Sequence, residues 1–190
     1  MTYAPAVITY RMSSRSRLAA VALVVAAAAL TALAAQVRIP LWPVPITGQT
    51  FAVLLTGAAL GWRAGGAAQL LYLVVGALGA PVFTEASGGV DVLTGATAGY
   101  LFAFPVAAAL VGRLAESRHD RRFWTMALAF IVGSAVIYIG GMLGLVLTLG
   151  MSPGAAFADG VLPFLIGDAI KAVGAGIVLP GAWRLTGRDT

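Results

Sequence analysis

The chain of 190 residues contains no cysteine and a single histidine. The lack of cysteine excludes disulfides, thiolate nucleophiles and thiolate metal sites, and one histidine cannot form a histidine metal cluster. Charged residues make up only 10% of the chain, whereas soluble domains carry about 25%. Because hydrophobic residues reach 60%, the composition predicts a protein that is surrounded mostly by lipid.

Apolar runs between charges and Pro/Gly punctuation predict six membrane-spanning helices. The runs cover residues 18–37, 47–61, 64–79, 96–112, 123–149 and 161–183. The first run has the length of about 20 residues that spans a bilayer, longer than a signal-peptide core of roughly 7–15, so we interpret it as a retained helix. We therefore predict an all-α membrane protein with one compact six-helix bundle over residues 18–184, an N-terminal segment at 1–17 and a tail at 185–190.

The basic residues predict the orientation of this bundle. The net charge is +5, and ten of the twelve Lys and Arg residues fall on one side when the N-terminus is placed inside. Since an excess of Lys and Arg marks the cytoplasmic side, both termini are predicted to be cytoplasmic (N-in, C-in). The basic residues are scattered between apolar runs, which indicates topology signals beside a membrane and not a nucleic-acid surface.

Two charges lie within the predicted sixth helix, in the stretch "FLIGDAIKAVGAGIVL". Asp168 and Lys171 are three residues apart and so share a helix face. A charge at mid-helix costs about 2.5–3.5 kcal/mol on insertion scales, and such residues usually face a cavity and have a partner. They form either an ion pair that only fixes packing or, as we favour, a polar ligand site. No second buried carboxylate or histidine base accompanies them, so the pattern indicates recognition and not catalysis.

Polar residues also gather at the predicted outer end. Gln49, in "VPITGQTF", belongs either to a helix-capping network with Thr47 or to a ligand site, because its amide offers two donors and an acceptor. The loop "APVFTEASGGVDVLTG" at 80–95 carries Glu85, which is either solvated or turned to a ligand. The loop lacks the GxxxxGK[ST] pattern, which argues against a nucleotide phosphate site.

Alanines of the first helix repeat at a small-xxx-small spacing. The pairs are Ala22 with Ala26 and Ala28 with Ala32. Such faces let another helix approach closely in lipid. The partner is either another helix of this chain or a helix of another protein.

Three motifs resemble the BioY family, in the family's order: "VPITGQTFAVLLTGAALG", "GAPVF…SGG…GYLFAF" and "FLIGDAIK". The BioY family comprises the biotin-specific substrate-binding (S) components of energy-coupling-factor (ECF) transporters. The resemblance covers residues 18–183. It implies a six-helix bundle that binds biotin near the outer face, beneath the loops after the first and third helices.

The resemblance also implies roles for single residues. Asp168 and Lys171 match the sixth-helix residues that contact the ligand, and Ala22 and Ala26 match the motif that docks on the coupling protein. Further ligand-binding candidates are Gln49, Phe83, Glu85, Gly89 and Tyr100. A buried carboxylate suits the two N–H donors of the biotin ureido group, and the ammonium suits either the ureido carbonyl or the valerate carboxylate.

The predicted function is capture of biotin at the outer face of the cell membrane for uptake. The chain has no ATP-binding motif, so ATP hydrolysis is assigned to partners: a transmembrane coupling protein and two ATP-binding subunits. Uptake by a solitary homo-oligomer is an open alternative. Others are a different vitamin, such as thiamin or riboflavin, and a proton-coupled carrier or intramembrane enzyme that uses Asp168. No cofactor and no metal are predicted.

Overall fold

The fold is mainly helical. The computed structural model describes residues 17–117 and 123–165, and every structural statement below concerns these ranges. The helices are α1 Arg17–Gln36, α2 Gln49–Ala77, α3 Ala98–Glu116, α4 Phe123–Leu149 and α5 Pro153–Gly160. Two-residue strands, β1 Arg38–Ile39 and β2 Ile46–Thr47, pair antiparallel between α1 and α2, and short 3-10 turns cover Thr84–Ala86 and Val90–Thr94.

Helix α2 is a hairpin of two arms. Its backbone leaves helical geometry at Gly61, where φ is 82° and ψ is 175°. Glycine adopts this positive φ without the steric cost of a Cβ. The first arm (49–60) and the second arm (62–77) run antiparallel, since Gln69 on the second arm donates to Thr56 on the first at 3.0 Å. The two predicted spans at 47–61 and 64–79 correspond to these arms.

A carboxylate from α3 stabilises the turn of this hairpin. The break at Gly61 leaves the N–H groups that begin the second arm without helical partners. Glu116 Oε1 accepts from the Trp62 backbone N–H at 3.1 Å, and Glu116 Oε2 lies 3.6 Å from Arg113. The end of α3 and the turn of α2 therefore meet at the same end of the bundle.

The helices pack through small residues. A Cβ added at Gly57 would lie 2.4 Å from the Ala108 carbonyl oxygen, and one added at Gly99 would lie 2.1 Å from the Gly140 carbonyl oxygen. The first arm thus touches α3, and α3 touches α4, backbone against backbone. In lipid, such close approach stabilises helix pairs because it maximises van der Waals contact.

A buried polar cluster joins α1 to both arms of α2. Gln69 Nε2 donates to Thr31 Oγ1 at 3.1 Å and to Thr56 Oγ1 at 3.0 Å. The two hydroxyls donate onward to the carbonyls of Ala27 and Val53, so they accept from the amide and fix its orientation. Gln69 Oε1 is buried and has no hydrogen-bond partner among the residues that the structure describes.

Three of the described helices are long and apolar enough to cross a membrane: Arg17–Gln36, Ala98–Glu116 and Trp124–Leu149. Each arm of α2 is shorter than the about 20 residues that span a bilayer without help. A helical membrane protein is thus confirmed at the coarse level. The predicted sixth helix falls mostly on residues outside the described ranges.

The element boundaries differ from the prediction in three places. The segment between the fifth and sixth predicted spans contains helix α5, which begins where the Ser152 hydroxyl accepts from the Ala155 N–H at 3.2 Å and Pro153 occupies the first turn. Helix α3 continues to Glu116 instead of ending at 112, because charges end an apolar run without ending a helix. The loop at 38–50 contains the β1–β2 pair, which a hydropathy pattern cannot predict because the pairing rests on backbone hydrogen bonds.

Candidate functional site

A cavity of about 240 Å³ lies at the end of the bundle where α2 and α3 begin. Small-molecule sites usually measure about 300–1,000 Å³, so the volume enclosed by the described residues lies just below that range. Its described walls come from the segment around β2, the first arm of α2, the loop at 83–87, the 3-10 turn at Val90–Thr94, the start of α3, α4 and the segment after α5. The lining residues are Val44, Pro45, Thr47, Gln49, Thr50, Phe83, Thr84, Glu85, Ser87, Val92, Thr97, Tyr100, Leu101, Phe104, Tyr138 and Phe164.

Gln49 is the buried polar centre of this wall. Its Oε1 accepts from Thr47 Oγ1 at 2.8 Å and from Thr84 Oγ1 at 3.3 Å, while its Nε2 donates to Tyr72 Oη at 2.7 Å. Tyr72 Oη donates to the Val82 carbonyl at 3.1 Å, so its lone pair faces Gln49 and the amide orientation is fixed. No described residue accepts the second Nε2 hydrogen. This buried amide therefore has one N–H donor left in addition to its hydrogen-bond network.

Aromatic side chains form the apolar walls. The ring centroids of Tyr100 and Tyr138 lie 6.1 Å and 6.2 Å from that of Phe164. The Tyr100 hydroxyl donates to the Gly160 carbonyl at 2.7 Å. Its hydrogen is therefore already used, and Tyr100 contributes mainly its ring to the cavity wall. Such walls suit the apolar part of a small ligand.

The loop after α2 closes one side of the cavity. The Phe83 ring is buried, packs edge-on against Tyr72 at 5.3 Å, and lies where a side chain at Gly76 would be. Glu85, two residues after Phe83, is exposed and pairs with Arg38. Phe83 and Glu85 both line the cavity.

Gly89 has a backbone role beside the cavity and does not line it. Its φ is 103°, and its N–H donates to the Gly76 carbonyl at 2.7 Å. A residue other than glycine is rarely stable at this φ. Gly89 therefore shapes the loop that carries Phe83 and Glu85.

The remaining predicted site residues divide into two groups. Asp168 and Lys171 lie outside the described residues. Ala22 and Ala26 are exposed on the outward face of α1, whereas Ala28 is buried against the bundle. The two alanine pairs thus lie on different faces of α1, and the Ala22–Ala26 pair is not used for packing within the described part of the chain.

Several lining residues escaped the sequence reasoning. Thr97, Phe104 and Phe164 lie in stretches that hydropathy describes only as apolar or turn-like. Tyr138 carries the one signal that could have indicated it, a phenol hydroxyl within the very apolar α4, because a buried tyrosine hydroxyl usually has a polar partner.

The described charges divide between the two ends of the bundle. Gln36, the last residue of α1, contacts the loop at 83–87, which places Arg17 at the end away from the cavity. Arg63, Arg113 and Glu116 lie at that same end, beside the hairpin turn. At the cavity end lie Arg38, Glu85, Asp91 and Asp159.

Comparison with known families assigns the chain and its fold to a family. Residues 10–188 match the sequence model of the BioY family. The chain belongs to the BioY family. A BioY relative from Pyrococcus horikoshii, named a probable biotin transporter, is 40% identical over 88% of this chain and 96% of its own length. The biotin transporter BioY of Thermotoga maritima is 38% identical over 82% of this chain and 80% of its own length.

A solved structure shares the BioY chain's architecture. The crystal structure of the S-component for biotin from an ECF-type ABC transporter superposes with a TM-score of 0.81, covering 88% of this chain and 92% of that one. At 20% sequence identity this similarity shows the fold. The predicted family and the S-component fold are confirmed.

Proposed function

We propose that this chain is the biotin-binding subunit of an uptake system in the cell membrane. The observation that carries the proposal is the cavity, whose aromatic walls and buried amide suit a small bicyclic ligand with polar groups, in a chain of the BioY family. Its relatives are named biotin transporters, which supports transport and not catalysis. The described residues contain no group of His, Asp, Glu or Cys suited to a metal ion.

The ligand contacts we propose combine a buried hydrogen-bond donor, aromatic rings and a carboxylate at the rim of the cavity. The free N–H of Gln49 serves as a donor, the rings of Phe83 and Tyr100 hold the apolar part, and Glu85 lies at the rim. Gly89 contributes through the shape of the loop.

Asp168 and Lys171 complete the proposed site. The carboxylate accepts the ureido N–H groups, and the ammonium donates either to the ureido carbonyl or to the valerate carboxylate. Phe164, four residues before Asp168, lines the cavity. Residues four apart on a helix share a face, so a helix continuing through this segment would bring Asp168 towards the ligand.

For the membrane arrangement we propose six spanning helices over residues 18–184, with the cavity facing outwards and both termini (1–17 and 185–190) in the cytoplasm. Arg17, Arg63 and Arg113 at the end away from the cavity support this orientation, because basic residues accumulate on the cytoplasmic side. We further propose that the exposed Ala22–Ala26 face docks on the transmembrane coupling protein of an ECF transporter, which also binds two ATP-binding subunits. A solitary homo-oligomer is the alternative assembly.

Equilibrium binding of radiolabelled biotin to the purified full chain in detergent tests the ligand. We expect saturable binding that unlabelled biotin competes and that thiamin and riboflavin do not. Competition by thiamin, or a flavin absorbance spectrum in the purified protein, would assign the site to another vitamin. Uptake in proteoliposomes with and without the partner subunits then separates the coupled assembly from the solitary one.

A further inference from the structure

The loop beside the cavity contains a tight turn at residues 83–87, here called the rim turn. Phe83 N–H donates to the Ser87 carbonyl at 2.9 Å, and the Ser87 hydroxyl donates to the Thr84 carbonyl at 2.6 Å. At its tip, Glu85 and Ala86 have φ of 63° and 51°. Two consecutive non-glycine residues in the left-handed region are strained, and such strain persists only where the surroundings hold it.

One amide on α1 holds this turn. Gln36 Nε2 donates to the Phe83 carbonyl at 3.0 Å, and Gln36 Oε1 accepts from the Ala86 N–H at 3.0 Å. Nε2 also donates to the Ala32 carbonyl of its own helix at 3.1 Å, which anchors the amide on α1. The single Gln36 amide thus makes two hydrogen bonds to the backbone of the rim turn, one as donor and one as acceptor.

The surrounding contacts show why this pairing matters to the cavity. Phe83, Thr84, Glu85 and Ser87 of the rim turn all line the cavity. Gln36 pairs with the Phe83 carbonyl and the Ala86 N–H, two groups that the internal hydrogen bonds of the turn do not use. The bond to the Phe83 carbonyl is partly buried, where a backbone polar group needs a partner. The ion pair of Arg38 with Glu85 touches the same tip, but exposed ion pairs contribute little.

We propose that Gln36 is a positioning residue that latches the rim turn over the cavity and so limits how fast the bound ligand leaves. The inference rests on the proposed function, in which the cavity holds biotin. Binding differences between closely related proteins lie mostly in the dissociation rate. A loosened wall therefore shows first as faster release, with capture nearly unchanged.

The test compares the parent chain with Gln36→Leu, which keeps the side-chain bulk and removes both hydrogen bonds to the rim turn. In the purified full chain we expect radiolabelled biotin to dissociate about tenfold faster, because two hydrogen bonds that hold the wall are lost. The association rate should stay within about twofold. Because Gln36 is exposed, the unfolding temperature should change little. In ligand-free protein, amide hydrogen exchange in the peptide that contains the rim turn should become faster.

Gln69→Leu is the matched control. It removes a different side-chain amide, which joins α1 to α2 through Thr31 and Thr56, away from the rim turn. This control should alter the unfolding temperature and leave biotin dissociation unchanged. A folded Gln36→Leu protein with the parent's dissociation rate, or an equal acceleration in Gln69→Leu, would overturn the inference. If the parent does not bind biotin, the proposed function fails, and unchanged rim-turn exchange in Gln36→Leu would then overturn the latch separately.

Discussion

The polar side chains of the cavity are held by the protein before any ligand arrives. Gln49 is fixed through Thr47, Thr84 and Tyr72, and the Tyr100 hydroxyl is fixed by the Gly160 carbonyl. Side chains fixed in this way lose little entropy when a ligand binds, which favours affinity. Each of them therefore has a distinct expected response to substitution.

Tyr100 should act through its ring. Tyr100→Phe removes the hydrogen bond to Gly160, worth about 1 kcal/mol, and should lower the unfolding temperature while changing the biotin dissociation constant by less than about threefold. Tyr100→Ala removes the aromatic wall and should weaken binding at least tenfold, by roughly the free energy of burying an aromatic side chain. Equal losses of affinity in the two variants, measured by isothermal titration, would show that the hydroxyl contacts the ligand.

Asp168 and Lys171 are proposed to recognise opposite poles of the ligand. Exchanging them (Asp168→Lys with Lys171→Asp) would place a donor against donors and an acceptor against an acceptor. Each unmatched buried group costs about 1–3 kcal/mol, so binding should weaken by at least about a hundredfold. Asp168→Asn should be milder, because the amide oxygen still accepts one N–H. A folded exchange variant that binds biotin as tightly as the parent would make the pair structural only.

Sequence reasoning reached these residues unevenly. Gln49, Phe83, Glu85 and Tyr100 all line the cavity. They lie at helix starts and loop edges, and these positions can be located in the sequence where apolar runs meet polar residues. Gln36 gave no such signal, because its role depends on a hydrogen bond to a carbonyl 47 residues away. Long-range pairing of this kind requires the fold.

At the scale of helices, close packing depends on small residues at the crossings. The boundaries of α1 and α4 were predictable to within a residue, because long apolar runs end at charges and prolines. The hairpin turn of α2 appeared in the sequence only as a glycine beside Trp62 and Arg63, and its stabilisation by Glu116 from α3 was not visible. Helix α5 was missed because a single amphipathic pair of turns does not produce an apolar run.

The crossing of the first arm with α3 should not tolerate added volume. A methyl group at Gly57 would overlap the backbone of Ala108. Gly57→Ala should therefore destabilise the protein by about 1–3 kcal/mol, the usual cost of overpacking, and lower the thermal unfolding midpoint in detergent. Gly154→Ala is the control, because a Cβ there meets nothing within 4 Å. Equal midpoints for Gly57→Ala and the parent would contradict this packing.

The exposed Ala22–Ala26 face of α1 should matter for coupling to the partner subunits and not for biotin binding. Ala26→Trp blocks close helix approach on that face, so biotin should still bind while ATP-driven uptake with the partner subunits falls at least about tenfold. Val106→Trp, on the exposed face of α3, is the matched control and should leave uptake unchanged. Normal uptake by Ala26→Trp, measured in reconstituted vesicles, would exclude this face as the docking surface.

At the scale of the whole molecule, the cavity lies at one end of the bundle, and three of the four described arginines lie at the other end. Arg17, Arg63 and Arg113 lie away from the cavity, and Glu85 and Asp91 lie beside it. This polarity predicts that the cavity opens outwards, where an uptake subunit meets its ligand. Location, ligand and orientation can be tested together, because the chain has no cysteine of its own.

The most direct measurement is the protection of a cysteine in the cavity by biotin. Thr97 lines the cavity, whereas Thr94, three residues earlier, is exposed and does not line it. In intact cells, a membrane-impermeant maleimide should label both Thr97→Cys and Thr94→Cys. Saturating biotin should protect only Thr97→Cys, and thiamin should protect neither. If Thr97→Cys is labelled equally with and without biotin, or is reached only after the membrane is opened, the account of an outward-facing biotin cavity is contradicted.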